Sequence, residues 1–217
     1  MPLDWFDSDS RKRFEDKGYR CLQDLLALKE GVPVSRARTR SCRRLQLGGV
    51  TYYLKTQDLR EASLPLRKWA SYILHSSPIL REARSYPLLQ ALRIRTPILA
   101  ATGHIPGLLW PRAALLLTRE VPGHVDLAHF SGPPERARAW AKALRRLIRD
   151  THDKGFVFGG VRFRNFLVPR EGSPSPEKIV VLDQPRFGRS RSPRLRRRDL
   201  RYLDSDLALL LGEEEPL

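Results

Sequence analysis

Two short apolar segments in the C-terminal half, each next to a polar residue, constrain the fold of this chain most. The first, Phe166–Val168, directly follows Asn165, and the second, Lys178–Asp183, ends in an aspartate. A polar loop rich in proline and serine separates them, which favours a pair of strands. A lone carboxylate at the end of an apolar strand is more informative than one on a helix face, so Asp183 and Asn165 are candidate functional residues.

Composition argues against a membrane-spanning or disulfide-stabilised protein. No apolar run in the 217 residues approaches the ~20 residues of a transmembrane helix. Cys21 and Cys42 make neither a disulfide framework nor a metal site, and the N-terminus lacks the basic-then-apolar order of a signal peptide. We therefore expect a cytoplasmic protein. Forty Lys and Arg residues against 24 Asp and Glu give a net charge of +16, which attracts nucleic acid, an acidic membrane leaflet or a phosphorylated substrate.

The first half of the chain is predicted to be rich in strands. Residues 1–34 form a polar lead with one helix, Cys21–Lys29. Strands over 43–47 and 50–55 flank Gly48-Gly49, which supplies the positive φ angles of a tight hairpin turn. Two helical segments follow, one near residues 64–73 and one over 79–92 that Pro87 is expected to interrupt.

The second half is predicted to be mainly helical. Its strongest helical pattern runs from Pro133 to Lys154, and a last amphipathic helix is expected over residues 200–211. The whole order predicts an α+β fold of two lobes, residues 35–120 and residues 121–217, with the split near residue 120.

Several short motifs, taken in order, carry a resemblance to a known family. It is the lipopolysaccharide kinase family, the bacterial Kdo and heptose kinases with a protein-kinase-like fold. The resemblance implies a small strand-rich N-lobe, a mainly helical C-lobe, ATP and Mg²⁺ as cofactors, and core sugars of lipopolysaccharide as acceptors. The motifs are Arg43-Arg44, Tyr52-Tyr53-Leu54-Lys55, Ser77-Pro78-Ile79-Leu80, Leu117-Thr118-Arg119-Glu120, His152-Asp153-Lys154-Gly155-Phe156, Asn165-Phe166-Leu167-Val168 and Lys178–Asp183.

The resemblance implies that Lys55 binds nucleotide phosphates from the end of a strand. An ordinary surface lysine at a strand terminus is the alternative. The carboxylate that should pair with this lysine aligns with Ser85, which carries no charge. Glu82 lies three residues earlier on the same helical face. It is either the substitute partner of Lys55 or a solvated partner of Arg81 or Arg84.

The resemblance also implies that Asn165 and Asp183 hold Mg²⁺, although Asn165 can instead be a turn residue. In the protein-kinase pattern H-R-D-x-x-x-x-N, the Asp five residues before the Asn orients the attacking hydroxyl. Here that position is Gly160, while the upstream His152 is expected to be a structural core residue. Because a positioned base contributes about 10²–10⁴-fold, we expect slow phosphate transfer. A pseudokinase that only binds or scaffolds is the alternative.

A basic segment before the last helix is a candidate anion-binding surface. It is either a solvated connector or a docking surface for lipopolysaccharide core or anionic lipid, where each basic residue contributes ~1 kcal/mol. A docking role would make the protein peripheral on the inner membrane of a Gram-negative bacterium. Nucleic acid is disfavoured because no stacking-aromatic motif is interleaved with the arginines. The candidates are Arg189, Arg191, Arg194, Arg196, Arg197 and Arg198.

Overall fold

The computed structural model describes residues 3–59, 77–108 and 111–212. The helix predicted near residues 64–73 lies outside the described residues. Strands dominate the described part of the first half of the chain, and two long helices dominate the second half. The predicted α+β class is therefore confirmed.

The chain divides into two compact units. Unit 1 comprises residues 1–84 and 97–120, and unit 2 comprises residues 85–96 and 121–217. Residues 1–34 thus belong to the same unit as the strands that follow them.

Unit 1 is built on a six-stranded sheet in the order β1-β5-β6-β4-β3-β2, with antiparallel neighbours throughout. The predicted hairpin is confirmed, because β3 pairs with β4 from Leu47 opposite Val50 to Arg40 opposite Gln57. Gly48 and Gly49 at its turn have φ of 55° and 76°, a region that favours glycine. The strands are β1 (Asp4–Trp5), β2 (Val32–Arg36), β3 (Arg40–Leu47), β4 (Val50–Asp58), β5 (Leu99–Ile105) and β6 (Ala113–Arg119).

Two N-terminal helices, α1 (Ser8–Asp16) and α2 (Leu22–Ala27), pack against one face of this sheet. Helix α2 is shorter than the predicted Cys21–Lys29. Helix α1 was not predicted, because Phe14 is its one buried apolar residue and leaves no apolar periodicity. The core they share includes Phe14, Leu22, Leu25, Leu45, Tyr52, Leu54, Leu115 and Leu117.

Helix α3 spans Pro78–Ala91 and continues through Pro87, so the predicted interruption is wrong. The proline removes one backbone donor. Tyr86 and Leu89 on either side of it are buried at 3% and 2% exposure, and their packing keeps the helix continuous.

Unit 2 is organised around helix α4 (Pro134–Asp153), which confirms the helix predicted over Pro133–Lys154. Trp140, Leu144 and Ile148 are fully buried on its inner face. One small sheet has the order β10-β9-β7, and β8 pairs with β11. The strands are β7 (His124–Asp126), β8 (Phe156–Val157), β9 (Phe166–Pro169), β10 (Val180–Val181) and β11 (Gly188–Arg189).

The last helix, α5 (Pro193–Leu211), begins at Pro193 rather than near residue 200. Ser192 caps it by accepting a hydrogen bond from the Leu195 amide, and Gly212 ends it at a left-handed φ of 67°. Most of the predicted basic segment is therefore helical and not a solvated connector. Among the described residues, no helix has both the length and the apolar character needed to cross a membrane.

Candidate functional site

Unit 1 brings a lysine and a glutamate into contact. Alternation along β4 places Lys55 on the face opposite the buried Leu54. Its Nζ donates a hydrogen bond to Oε1 of Glu82 on α3 at 2.7 Å. The Glu82 side chain is only 4% exposed, which excludes the alternative of a solvated glutamate. Because a buried carboxylate is costly without a partner, the pair fixes the orientation of both side chains.

A second network joins three of the resemblance motifs at the end of unit 1. Glu120 Oε1 accepts hydrogen bonds from Tyr53 Oη at 3.2 Å and Arg44 Nε at 3.3 Å. Burial raises the pKa of the Glu120 carboxyl, but hydrogen bonds from Arg44, Thr51 and Tyr53 and the charge of Arg44 together leave that pKa below its usual value. Glu120, the last residue of unit 1, is therefore ionised and hydrogen-bonded to residues of β3 and β4.

Unit 2 places Asn165 and Asp183 side by side. Pairing of Val181 with Phe166 brings the residue before β9 next to the residues after β10. Leu182 N donates to the Asn165 carbonyl at 2.8 Å, and Asn165 Nδ2 donates to the Asp183 carbonyl at 3.2 Å. Asp183 has a left-handed φ of 44°. Backbone strain of this kind concentrates at functional sites.

The Asn165–Asp183 pair suits a Mg²⁺ ion that is also bound by water and substrate, and not a metal ion bound by protein ligands alone. With its amide nitrogen used, Asn165 presents its amide oxygen, and Asp183 adds a carboxylate. Within the described ranges, no group of three or more His, Cys, Asp or Glu could hold a metal ion. Mg²⁺ binds through one or two carboxylates together with water and substrate phosphates. The amide oxygen of Asn165 and the carboxylate of Asp183 are consistent with this mode of binding.

The loop before Asn165 has backbone conformations that favour glycine at two positions, Gly159 and Gly160. Gly159 has φ of 74°, and a Cβ there would lie 2.6 Å from Cβ of Arg186. Gly160 has φ of 148°, a conformation that residues with a side chain rarely adopt. A Cβ at Gly160 would meet only Tyr202, at an ordinary 3.7 Å. The backbone conformation at position 160 therefore suits the glycine that the sequence places there.

Comparison with known proteins identifies the family of the chain. The model of the lipopolysaccharide kinase (Kdo/WaaP) family matches residues 29–211. The chain belongs to that family. A solved structure described as "WaaP in complex with acyl carrier protein" is 21% identical to the chain, with a TM-score of 0.61 over 93% of this chain and 79% of that one. This likeness confirms the predicted protein-kinase-like fold. No curated protein matches the chain.

In this family member, α5 supports the loop over residues 158–164, which contains Gly159 and Gly160 and is called the glycine loop below, through two buried aspartates. Asp199 is fully buried, accepts from the Phe158 amide at 2.9 Å and lies 3.1 Å from Nε2 of His152. Asp206 accepts from the Phe163 amide at 2.6 Å. His152 is thus a buried structural residue, as predicted. Sequence reasoning missed both aspartates, although their spacing of two helical turns on a basic helix was the available signal.

Several of the predicted anion-binding arginines have internal partners. Arg196 Nη2 donates to the His152 carbonyl at 2.5 Å, and Arg198 Nη2 donates to the Gly159 carbonyl at 2.8 Å. The guanidinium of Arg189 lies over an aromatic ring of β8, 5.6 Å from its centroid. These side chains hold parts of unit 2 together, so the six residues do not form one uniform surface.

A different subset of arginines shares one face of α5. They lie at positions i, i+3, i+4 and i+7, which bring side chains to one side of a helix. Together they line a cavity of about 460 Å³, and no other described residue lines it. We call it the arginine cavity. Arg191 is exposed outside it. The lining residues are Arg194, Arg197, Arg198 and Arg201.

Proposed function

We propose that the protein is a divergent lipopolysaccharide kinase that binds ATP with Mg²⁺ and phosphorylates core sugars slowly or not at all. One observation carries the proposal. Lys55 keeps a carboxylate partner and Asn165 stays beside Asp183, while the position of the base is Gly160 with φ of 148°. The groups that bind are present, and the group that accepts a proton is missing.

Each retained residue has a role in this proposal. Lys55 binds phosphate oxygens of the nucleotide, and Glu82 holds the ammonium in place at 2.7 Å. Asn165 and Asp183 hold Mg²⁺, which neutralises charge on the transferred phosphate. Because phosphoryl transfer depends mainly on positioning and charge stabilisation, this set supports nucleotide binding and a low residual rate.

The carboxylates that contact the loop do not replace the missing base. Asp199 accepts from the Phe158 amide, and Asp206 accepts from the Phe163 amide. Both aspartates are buried, at 0% and 8% exposure. They position the loop backbone and are not placed to take a proton from an acceptor sugar.

A pseudokinase, which binds or scaffolds without turnover, is the second candidate. The conformation of Gly160 favours it. A loop that had merely lost a side chain would keep a backbone compatible with aspartate, whereas φ of 148° is a conformation suited to glycine. The two candidates share the nucleotide site and differ in turnover alone.

Mg²⁺ should increase the affinity for ATP, and Asp183→Asn should remove most of that increase. Interactions with a charged group contribute about 1.5–3 kcal/mol, which corresponds to about tenfold or more in affinity. Calorimetric titration with and without Mg²⁺ measures the effect. Asp153→Asn is the matched control, since it neutralises an exposed carboxylate at the end of α4. Equal Mg²⁺ dependence in the two variants would remove Asp183 from the site and overturn the proposal.

We also propose that the protein is peripheral on the cytoplasmic side of the inner membrane, held by lipopolysaccharide core or anionic lipid. The net charge of +16 supports an electrostatic attachment. The arginines of α5 and of the strand pair β2–β3 are two concentrations of exposed positive charge in the described residues.

Binding to vesicles that contain acidic lipid should fall steeply as salt rises from about 0.1 M to about 1 M. The screening length shrinks from about 10 Å to about 3 Å over this range. Co-sedimentation with acidic and with neutral vesicles measures it. Salt-insensitive binding, or equal binding to neutral vesicles, contradicts the attachment. If no vesicle is bound, competition with RNA shows whether the charge serves nucleic acid.

A further inference from the structure

The arginine cavity concentrates positive charge near the N-terminal end of α5, where positive charge destabilises a helix. Like charges three or four residues apart destabilise a helix. The N-terminal end of a helix also carries the positive end of its dipole, and Arg194 and Arg197 lie in the first turns of α5. This arrangement is unfavourable for α5 by itself, and a bound anion would relieve it.

The acidic residues of α5 do not neutralise the arginine cavity. Asp199 pairs with His152, Asp204 pairs with Arg145, and Asp206 pairs with Arg162. Within the described residues, none of the four lining arginines forms an ion pair with a carboxylate. The Nε of Arg198 is buried and has no hydrogen-bond acceptor there. Four arginine residues therefore line one cavity without a carboxylate partner from the described chain.

We propose that the arginine cavity binds a ligand that carries two or more phosphate groups. Guanidinium groups grip phosphate oxygens in two places. A phosphate monoester carries a charge of about −1.5 to −2 at neutral pH, so two of them match four arginines. A volume of about 460 Å³ is that of a small-molecule site and exceeds what one phosphate needs. The ligand is a phosphorylated saccharide or a phosphorylated lipid headgroup.

Arg198 connects the arginine cavity to the glycine loop. It lines the cavity, and its Nη2 donates to the carbonyl of Gly159, the neighbour of Gly160. A ligand held by its phosphates would thus lie one side chain from the loop at which an acceptor hydroxyl would react. Its identification as the acceptor rests on the proposed kinase function, whereas binding of phosphate groups in the cavity does not.

The test is a titration of the full chain, without nucleotide, with a hexose, its monophosphate and its bisphosphate. Affinity should rise with each phosphate. The triple variant Arg194→Gln, Arg197→Gln, Arg201→Gln should bind the bisphosphate at least about tenfold more weakly, since charge-assisted bonds are lost. Arg198 is kept because it holds the loop.

The matched control removes the same charge from another helix. Lys142, Arg146 and Arg149 are exposed on α4 at similar helical spacing, and none lines the arginine cavity. Their replacement by Gln should leave the affinity unchanged. Circular dichroism confirms folding, and the single variants Arg194→Gln and Arg197→Gln serve if the triple variant does not fold.

Other outcomes separate the alternatives. Equal losses of affinity in the triple variant and the α4 control would show that net charge alone binds the ligand. Loss of affinity in a folded Lys55→Met variant would assign the phosphates to the nucleotide site. Either result overturns the proposal. Binding to cardiolipin vesicles, whose headgroup carries two phosphates, but not to hexose phosphates, lost in the triple variant alone, supports it and identifies a lipid headgroup as the source. Binding to neither overturns it. Because ATP is absent, failure of the nucleotide proposal does not affect this result.

Discussion

The unmodified protein should transfer phosphate from ATP to Kdo- or heptose-containing acceptors about 10²–10⁴-fold more slowly than a kinase with a positioned general base. Gly160 supplies no proton acceptor, and the buried carboxylates that contact the loop, Asp199 and Asp206, are bonded to its amides. Mass spectrometry of the acceptor after long incubation with ATP and Mg²⁺ measures the rate. Asp183→Asn sets the background. Fast transfer that Asp183→Asn abolishes would contradict this prediction and require a base elsewhere in the chain.

Gly160→Asp should not restore the lost rate. A side chain at φ of 148° is strained, and strain of this kind costs of order 1–3 kcal/mol, so the loop would shift before the new carboxylate could reach an acceptor. Gly160→Ala introduces the strain without the carboxylate. Both variants should therefore lose similar stability in urea denaturation and show the same background rate. A rate that rises with Asp and not with Ala would show that the loop accepts a base after all.

Local signals predicted the parts of the fold and site whose residues lie close in the sequence. The turn at Gly48-Gly49 determines the β3–β4 hairpin, because two positive φ angles in succession favour few residue types. Helix α4 follows from its apolar periodicity. Asn165 and Asp183 were predictable as neighbours because each adjoins a strand of one antiparallel pair.

Contacts distant in sequence decided the rest. The choice of Glu82 rather than a residue near Ser85 as the partner of Lys55 depends on how α3 packs against the sheet, and the pattern of leucines does not fix that register. The start of α5 was missed because its helical periodicity is one of arginines and aspartates, whereas helix prediction relies on apolar spacing. The ties from Asp199 and Asp206 to the loop cross about forty residues of sequence and have no local signal.

Asp199→Ala should destabilise unit 2 by about 1–3 kcal/mol or more, the cost of leaving buried polar groups without their hydrogen-bond partner. Asp199 has no exposed surface, and its Oδ2 serves both the Phe158 amide and His152. Removing it leaves a buried amide without an acceptor, in a protein whose total stability is of order 5–15 kcal/mol. Urea denaturation, followed by hydrogen exchange on peptides from α4 and α5, localises the loss to unit 2.

Asp204→Ala on the same helix is the control for the loss of a carboxylate. Asp204 pairs with Arg145, but its side chain is 44% exposed, and exposed pairs contribute about 0–1 kcal/mol. Asp199→Asn keeps a side-chain oxygen that can accept from the Phe158 amide, so its loss should fall between those of the two alanine variants. If Asp199→Ala were no more destabilising than Asp204→Ala, α5 would not hold the glycine loop. The conformation of Gly160 would then need another physical cause.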